Sequence, residues 1–207
     1  MPFLDVATQT IIISATGALS PGPLTAISAS KGLVQGWKAG FLCALGHMAV
    51  EFPLSFLIAL GLMDALHNDY LRALIGGIGG LALILFSIEQ IRGEAVVSEA
   101  SSSEARASFL AGVVASGLNP YFIIWWLTIG TKLLSESLLW MGWLGFLVVY
   151  ALHVWMDYAW LTFVAYLFSL GKGLEGTWYK ALNKVLGLTI LLLGAKFLWD
   201  SMLLLKR

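Results

Sequence analysis

Two pairs of a histidine and a carboxylate lie within apolar stretches of this sequence. His47 and Glu51 occur in "LGHMAVEFP", and His153 and Asp157 occur in "ALHVWMDYA". The residues of each pair are four apart, so on a helix the imidazole and the carboxylate share one face, one turn apart. Imidazoles and carboxylates together can carry protons, attract an ammonium or guanidinium group, or ligate a divalent transition metal.

The composition around these pairs indicates an integral membrane protein. Hydrophobic residues make up 59% of the chain and charged residues 12%, and the mean hydropathy is +0.86. Soluble domains are roughly 45–50% apolar and about 25% charged. Because an ionisable side chain at membrane depth costs roughly 2.5–3.5 kcal/mol or more, the default expectation for all four is a functional role. The net charge of zero gives no basic surface for nucleic acid.

The apolar runs predict six membrane-spanning helices and no soluble domain. With 207 residues and about 20 per crossing, the chain has room for little else. The polar stretch 93–106 predicts a cytoplasmic linker that joins one three-helix half, 1–92, to another, 107–207. The N-terminus lacks a basic n-region and reads as a retained first helix. The six predicted spans are 5–30, 38–63, 70–91, 107–131, 138–170 and 180–204.

Prolines interrupt the first helix of each half. Pro21, Gly22 and Pro23 break the first span in "ALSPGPLT", and Asn119 and Pro120 break the fourth in "SGLNPY". Three spans per half would give the two halves opposite orientations. Paired breaks in inverted repeats indicate a transport site near the midplane, because broken helices expose backbone groups that can hold a polar substrate or ion. Taken singly, each proline could serve helix packing alone.

These features together predict a secondary transporter with a central cavity. Glu51 and Asp157 are the first candidates for coupling protons or a cationic substrate, with His47 and His153 tuning them or binding directly. Asn119 and Thr25 lie within or beside a break, and each offers an oxygen. An alternative is a divalent-metal exporter in which the two histidines and the two carboxylates are ligands. Each histidine could instead simply bond its own carboxylate and stabilise helix packing.

The sequence predicts neither an enzyme nor a bound cofactor. It contains no evident nucleophile–base set or cofactor motif. The one cysteine, Cys43, excludes an intrachain disulfide and any relay through two thiols. Lys196 and Asp200, near the end of the last span, read as a snorkelling pair.

The basic residues favour an orientation with both termini outside and the linker in the cytoplasm. In this orientation four basic residues lie outside: Arg72, Lys132, Lys206 and Arg207. The inner side then holds seven: Lys31, Lys38, Arg92, Arg106, Lys172, Lys180 and Lys184.

The sequence also resembles the lysine-exporter (LysE/RhtB) family of amino-acid efflux proteins. The resemblance rests on "LSPGP", on Lys31-Gly32 followed by Gly36-Trp37-Lys38-Ala39-Gly40, and on "FLAGVVASGLNPYFIIWW". It covers essentially the whole chain, in order.

This resemblance implies six helices in two repeats and export of amino acids or related small solutes, driven by the proton motive force. It further implies a prokaryotic cytoplasmic membrane and a homodimer, and it supports Pro21, Gly22, Pro23, Asn119 and Pro120 as the residues that shape the path. Relatives in the wider superfamily export cadmium, manganese or nickel. Others pass electrons through paired cysteines, a role that the unpaired Cys43 excludes here.

Overall fold

The computed structural model describes residues 2–20, 22–61, 69–92, 102–173 and 177–205, and every regular element within them is helical. Pro21 and residues 93–101 of the predicted linker lie outside this part. The last residues of that linker are helical, since a helix begins at Ser102. The α-helices are α1 (Pro2–Ala18), α2 (Pro23–Gln35), α3 (Trp37–Ala59), α4 (Asp69–Arg92), α5 (Ser102–Gly117), α6 (Pro120–Trp125), α7 (Thr131–Met141), α8 (Trp143–Ser169) and α9 (Thr177–Leu205).

Both predicted breaks separate helices. α1 and α2 are inclined at 67° to each other, and Pro23 stands at the first position of α2, where a missing N–H costs nothing. The second break separates α5 from α6. A π-helical turn, Trp126–Gly130, then joins α6 to α7.

The helical run that follows the second break consists of α6, the π-helical turn and α7, and it is longer than predicted. It continues to Met141 instead of ending near residue 131. Residues 138–141 therefore belong to this helix and not to the predicted fifth span. The boundary falls at Gly142, whose φ of 57° is a left-handed conformation that favours glycine.

The protein is a multi-pass, all-α membrane protein. Among the described residues, four helices are long and apolar enough to span a bilayer, and the bent pair Phe3–Ala18 and Pro23–Gln35 makes a fifth if it counts as one span. The count of six stays a prediction. The four are Trp37–Ala59, Tyr121–Met141, Trp143–Ser169 and Gly187–Leu205.

The helices expose many large apolar side chains, and their interior holds small polar side chains beside apolar ones, as expected for helices surrounded by lipid. Leu85 and Leu192 point outward, whereas Ser28, Ser108 and Ser137 are fully buried. Lipid drives no hydrophobic association, so close backbone approach stabilises the packing instead.

Glycines allow that approach between α3 and α5. A Cβ on Gly46 would lie 2.0 Å from the carbonyl oxygen of Phe109, and one on Gly112 would lie 2.1 Å from that of Cys43. α3 also packs against α8, α8 packs against α1 and α2, and α4 pairs with α9. The two helices that carry the histidine–carboxylate pairs are therefore in direct contact.

The contact of α3 with α5 predicts the effect of one methyl group. Gly112→Ala should lower the melting temperature of the detergent-purified protein, because the added Cβ must push two backbones apart, at a cost of about 1–3 kcal/mol. Gly77→Ala is the control, since a Cβ on this helical glycine meets no atom within 4 Å; it should be neutral or stabilising. Equal melting temperatures for the two variants would contradict the close packing.

Candidate functional site

The two histidine–carboxylate pairs form one closed ring. The Nε2 of His47 lies 3.2 Å from Glu51 Oε1 and 3.9 Å from Asp157 Oδ2. The Nε2 of His153 lies 2.9 Å from the same oxygen of Glu51 and 3.4 Å from the same oxygen of Asp157. Each imidazole thus faces both carboxylates. We call His47, Glu51, His153 and Asp157 the charge ring.

Glu51 is the centre of the charge ring. It is completely buried, and its Oε1 also accepts a hydrogen bond of 3.3 Å from Trp126 Nε1. One oxygen therefore faces three nitrogens, from α3, α8 and the π-helical turn. Its other oxygen, Oε2, and Oδ2 of Asp157 have no hydrogen-bond partner among the described residues.

The hydrogen bonds of Ser116 indicate where His47 carries a proton. The Ser116 hydroxyl donates to the carbonyl of Gly112 at 2.7 Å, the usual back-bond of serine within a helix. Its oxygen also lies 2.7 Å from His47 Nδ1. A hydroxyl has one proton, so with that proton on the Gly112 carbonyl we assign His47 Nδ1 as the donor to Ser116. The contact of His47 Nε2 with Glu51 then requires a further proton, on either the nitrogen or the carboxylate.

Aromatic rings close the site. Phe122 meets His47 edge-on with a centroid separation of 4.9 Å, and Trp125 and Trp126 lie 5.2 and 5.1 Å from His153. The π-helical turn begins at Trp126, and Gly130 makes room for that ring, since a Cβ there would lie 2.4 Å from it. Such turns are often found at functional sites. The sequence pattern gave no sign of this turn or of the bond to Glu51.

A cavity of about 590 Å³ connects the charge ring to both helix breaks. A volume of this order suits a small-molecule site. The sequence placed the site residues on four separate segments, and the described ones meet here. The cavity wall includes all four residues of the charge ring together with Gly22, Pro23, Thr25 and Asn119.

Thr25 and Asn119 each stabilise a break. Thr25 Oγ1 donates to the carbonyl of Ser20 across the first break at 3.0 Å, and it accepts from Trp160 Nε1 of α8 at 3.4 Å. Asn119 caps α6, accepting from the amides of Tyr121 and Phe122. Pro120 begins α6, and Pro21 lies outside the described residues.

Lys196 lies on the same cavity wall. It donates to Asp200 Oδ2 at 2.9 Å and to the hydroxyl of Tyr121, which in turn donates to Asp200. The sequence indicated only the pair of Lys196 and Asp200. It gave no sign of the contact with Tyr121, because that residue is 75 positions away in the chain.

Three of the site residues could also bind a metal ion. His47, Glu51 and Asp157 each offer one ligand atom, and these atoms lie within 4.8 Å of one another. The Nδ1–H of His47 is held by Ser116, which leaves Nε2 as the ligand atom. Metal-binding histidines are usually oriented in this way.

The family comparison agrees with the sequence motifs. A model of the family described as LysE type translocator matches residues 15–201. The match spans both breaks and the whole charge ring, and it confirms the predicted family resemblance. No curated protein and no solved structure matches the chain.

The proton on His47 Nδ1 can be tested by ¹⁵N NMR of the histidine-labelled protein. We expect a protonated Nδ1, with the signal assigned by its loss in His47→Gln. Ser116→Ala should shift the His47 resonances and destabilise the protein by about 1–3 kcal/mol, since a buried donor loses its acceptor.

Ser108→Ala is the matched control. Ser108 is a buried serine of the same helix that donates to Gln35, whereas Ser116 contacts a histidine. An unprotonated His47 Nδ1 in the unmodified protein would contradict the assignment.

Proposed function

The chain belongs to the LysE type translocator family, and we propose that it exports amino acids or related small solutes by proton-coupled antiport. The charge ring on the cavity wall carries this proposal. In this mechanism, Glu51 and Asp157 bind either protons or the ammonium group of the substrate. His47 and His153 adjust how many protons the charge ring holds.

The charge balance of the ring supports exchange of one cation for another. With both carboxylates ionised, neutrality requires two doubly protonated imidazoles. His47 has an acceptor for each of its N–H groups, but His153 Nδ1 is buried without a partner among the described residues. A second imidazolium would leave that N–H unsatisfied, at a cost of about 1–3 kcal/mol. We therefore propose that the ring holds one imidazolium and lacks one positive charge.

A proton and a substrate ammonium compete for this missing charge. Either neutralises the ring, and an uncompensated charge at membrane depth is unfavourable. Binding of the substrate in the inward-facing state would release a proton, and protonation in the outward-facing state would release the substrate. This competition is the physical basis of antiport.

We further propose that the two halves are inverted repeats that move against each other. Each half has a broken helix followed by long helices, and Glu51 of the first half contacts His153 of the second. Rocking one half against the other would open the cavity to alternate sides. The proposal includes six spans, a prokaryotic cytoplasmic membrane, both termini outside and a homodimer.

Export of a divalent transition metal is a second candidate function. It is favoured by the three converging ligand atoms of His47, Glu51 and Asp157. The two functions differ in the part that the histidines play. A metal substrate requires His47 Nε2 as a ligand, whereas an amino-acid substrate requires it only as a partner of Glu51.

Removing the carboxylate charges tests both candidates. Glu51→Gln and Asp157→Asn should each reduce flux in proteoliposomes by about two orders of magnitude or more, which corresponds to ~2.7 kcal/mol in the activation free energy of transport. Flux is measured for radiolabelled amino acids and for zinc, manganese and nickel ions. Glu136→Gln is the control, because Glu136 pairs only with the exposed Lys132 in the described structure.

The outcomes separate the two functions. Amino-acid flux that survives added chelator supports the first, and metal flux that disappears in His47→Ala supports the second. Undiminished amino-acid flux in the Glu51→Gln, Asp157→Asn double variant would contradict the antiport mechanism.

A further inference from the structure

The two helices that begin at the breaks both have proline as their first residue. Asn119, Pro120, Tyr121 and Phe122 open α6, and the corresponding positions of α2 are Gly22, Pro23, Leu24 and Thr25. In both helices proline follows the N-cap. The N-cap residue itself differs.

That difference decides whether the first backbone N–H groups of the helix have a side-chain acceptor. The Asn119 side chain accepts from the amides of Tyr121 at 3.0 Å and Phe122 at 3.4 Å. Gly22 has no side chain, and no side-chain cap bond forms at α2. The first amides of a helix need an acceptor. Among the described residues, nothing accepts from the amides of Leu24 and Thr25, and both residues lie on the wall of the 590 Å³ cavity.

A buried carboxylate faces the same cavity as these amides. Asp157 is only 5% exposed, and its Oδ2 has no hydrogen-bond partner among the described residues. Trp160, three residues further along α8, donates to Thr25 in the first turn of α2. Residues three apart on a helix are neighbours. An acceptor for a cation and donors for an anion thus line the same cavity.

We propose that the first turn of α2, Gly22 to Thr25, is the carboxylate subsite of the transporter, and that Asp157 receives the neighbouring ammonium group. This inference rests on the proposed function and assigns the two ends of its substrate. The amides and the dipole of a 13-residue helix stabilise an anion at this end. The substrate class is a zwitterion whose ammonium and carboxylate groups are adjacent, as in an α-amino acid.

Glycine at the N-cap leaves these amides open to the substrate. The backbone does not require it, because Gly22 has a φ of −128°, an extended conformation that any residue adopts. A Cβ there would meet no atom within 4 Å. An asparagine would fit and would cap α2 as Asn119 caps α6.

The test compares Gly22→Asn with Gly22→Ala, which adds a Cβ without a capping group. Binding is followed by the rise in melting temperature of the full-length, detergent-purified protein. The probes are L-lysine, L-leucine and L-threonine, each paired with its carboxamide, which keeps the ammonium and loses the carboxylate.

We expect the three amino acids to raise the melting temperature of the unmodified protein. Their carboxamides should raise it far less. Gly22→Asn should weaken binding of the acids at least about tenfold, while its own melting temperature without ligand equals or exceeds that of the unmodified protein. Gly22→Ala should retain binding. Leu24→Pro removes one of the two backbone N–H groups at a position where proline is tolerated. It should also weaken binding of the amino acids.

Equal responses to the amino acids and their carboxamides, or full binding of the amino acids by Gly22→Asn, would overturn the proposed carboxylate subsite. Either result would leave the antiport proposal standing. No rise in melting temperature with any of the amino acids or carboxamides would overturn both proposals.

Discussion

The arrangement of the site depends on one buried carboxylate oxygen. Oε1 of Glu51 faces a histidine of its own helix, a histidine of α8 and the indole of Trp126. A charge at this depth is tolerable only when it is paired and hydrogen-bonded. Besides the helix packing between the two halves of the chain, this requirement links them through one atom, so a change in the charge of Glu51 or its partners acts directly on their contact.

The surrounding packing meets that requirement. Gly46 and Gly112 bring the backbones of α3 and α5 together, which places Ser116 beside His47. The π-helical turn presents Trp126 to the same carboxylate. The cavity beside the ring is bounded by two helix ends, one capped by Asn119 and one left open at Gly22. In our proposal, these helix ends and the ring supply a group for each charge of a small zwitterion and a site that exchanges a proton.

The sequence predicted what depends on local spacing, and it missed what depends on distant partners. The interval of four residues placed each histidine beside its own carboxylate, and the proline breaks marked two helix ends that the structure places on one cavity wall. The bond of Glu51 to His153 spans 102 positions and that of His47 to Ser116 spans 69, so no local pattern could show them. The length of the helix ending at Met141 was missed because its boundary is set by Gly142 and not by a change in hydropathy.

Proton release on substrate binding tests the charge ring most directly. Purified protein in weakly buffered detergent solution is mixed with the amino acid that stabilises it most, and the pH is followed with an indicator dye. The ring model predicts that the unmodified protein releases protons on binding and that Glu51→Gln and Asp157→Asn release none. Binding by the unmodified protein without any release of protons would contradict the ring as the site where substrate and proton compete.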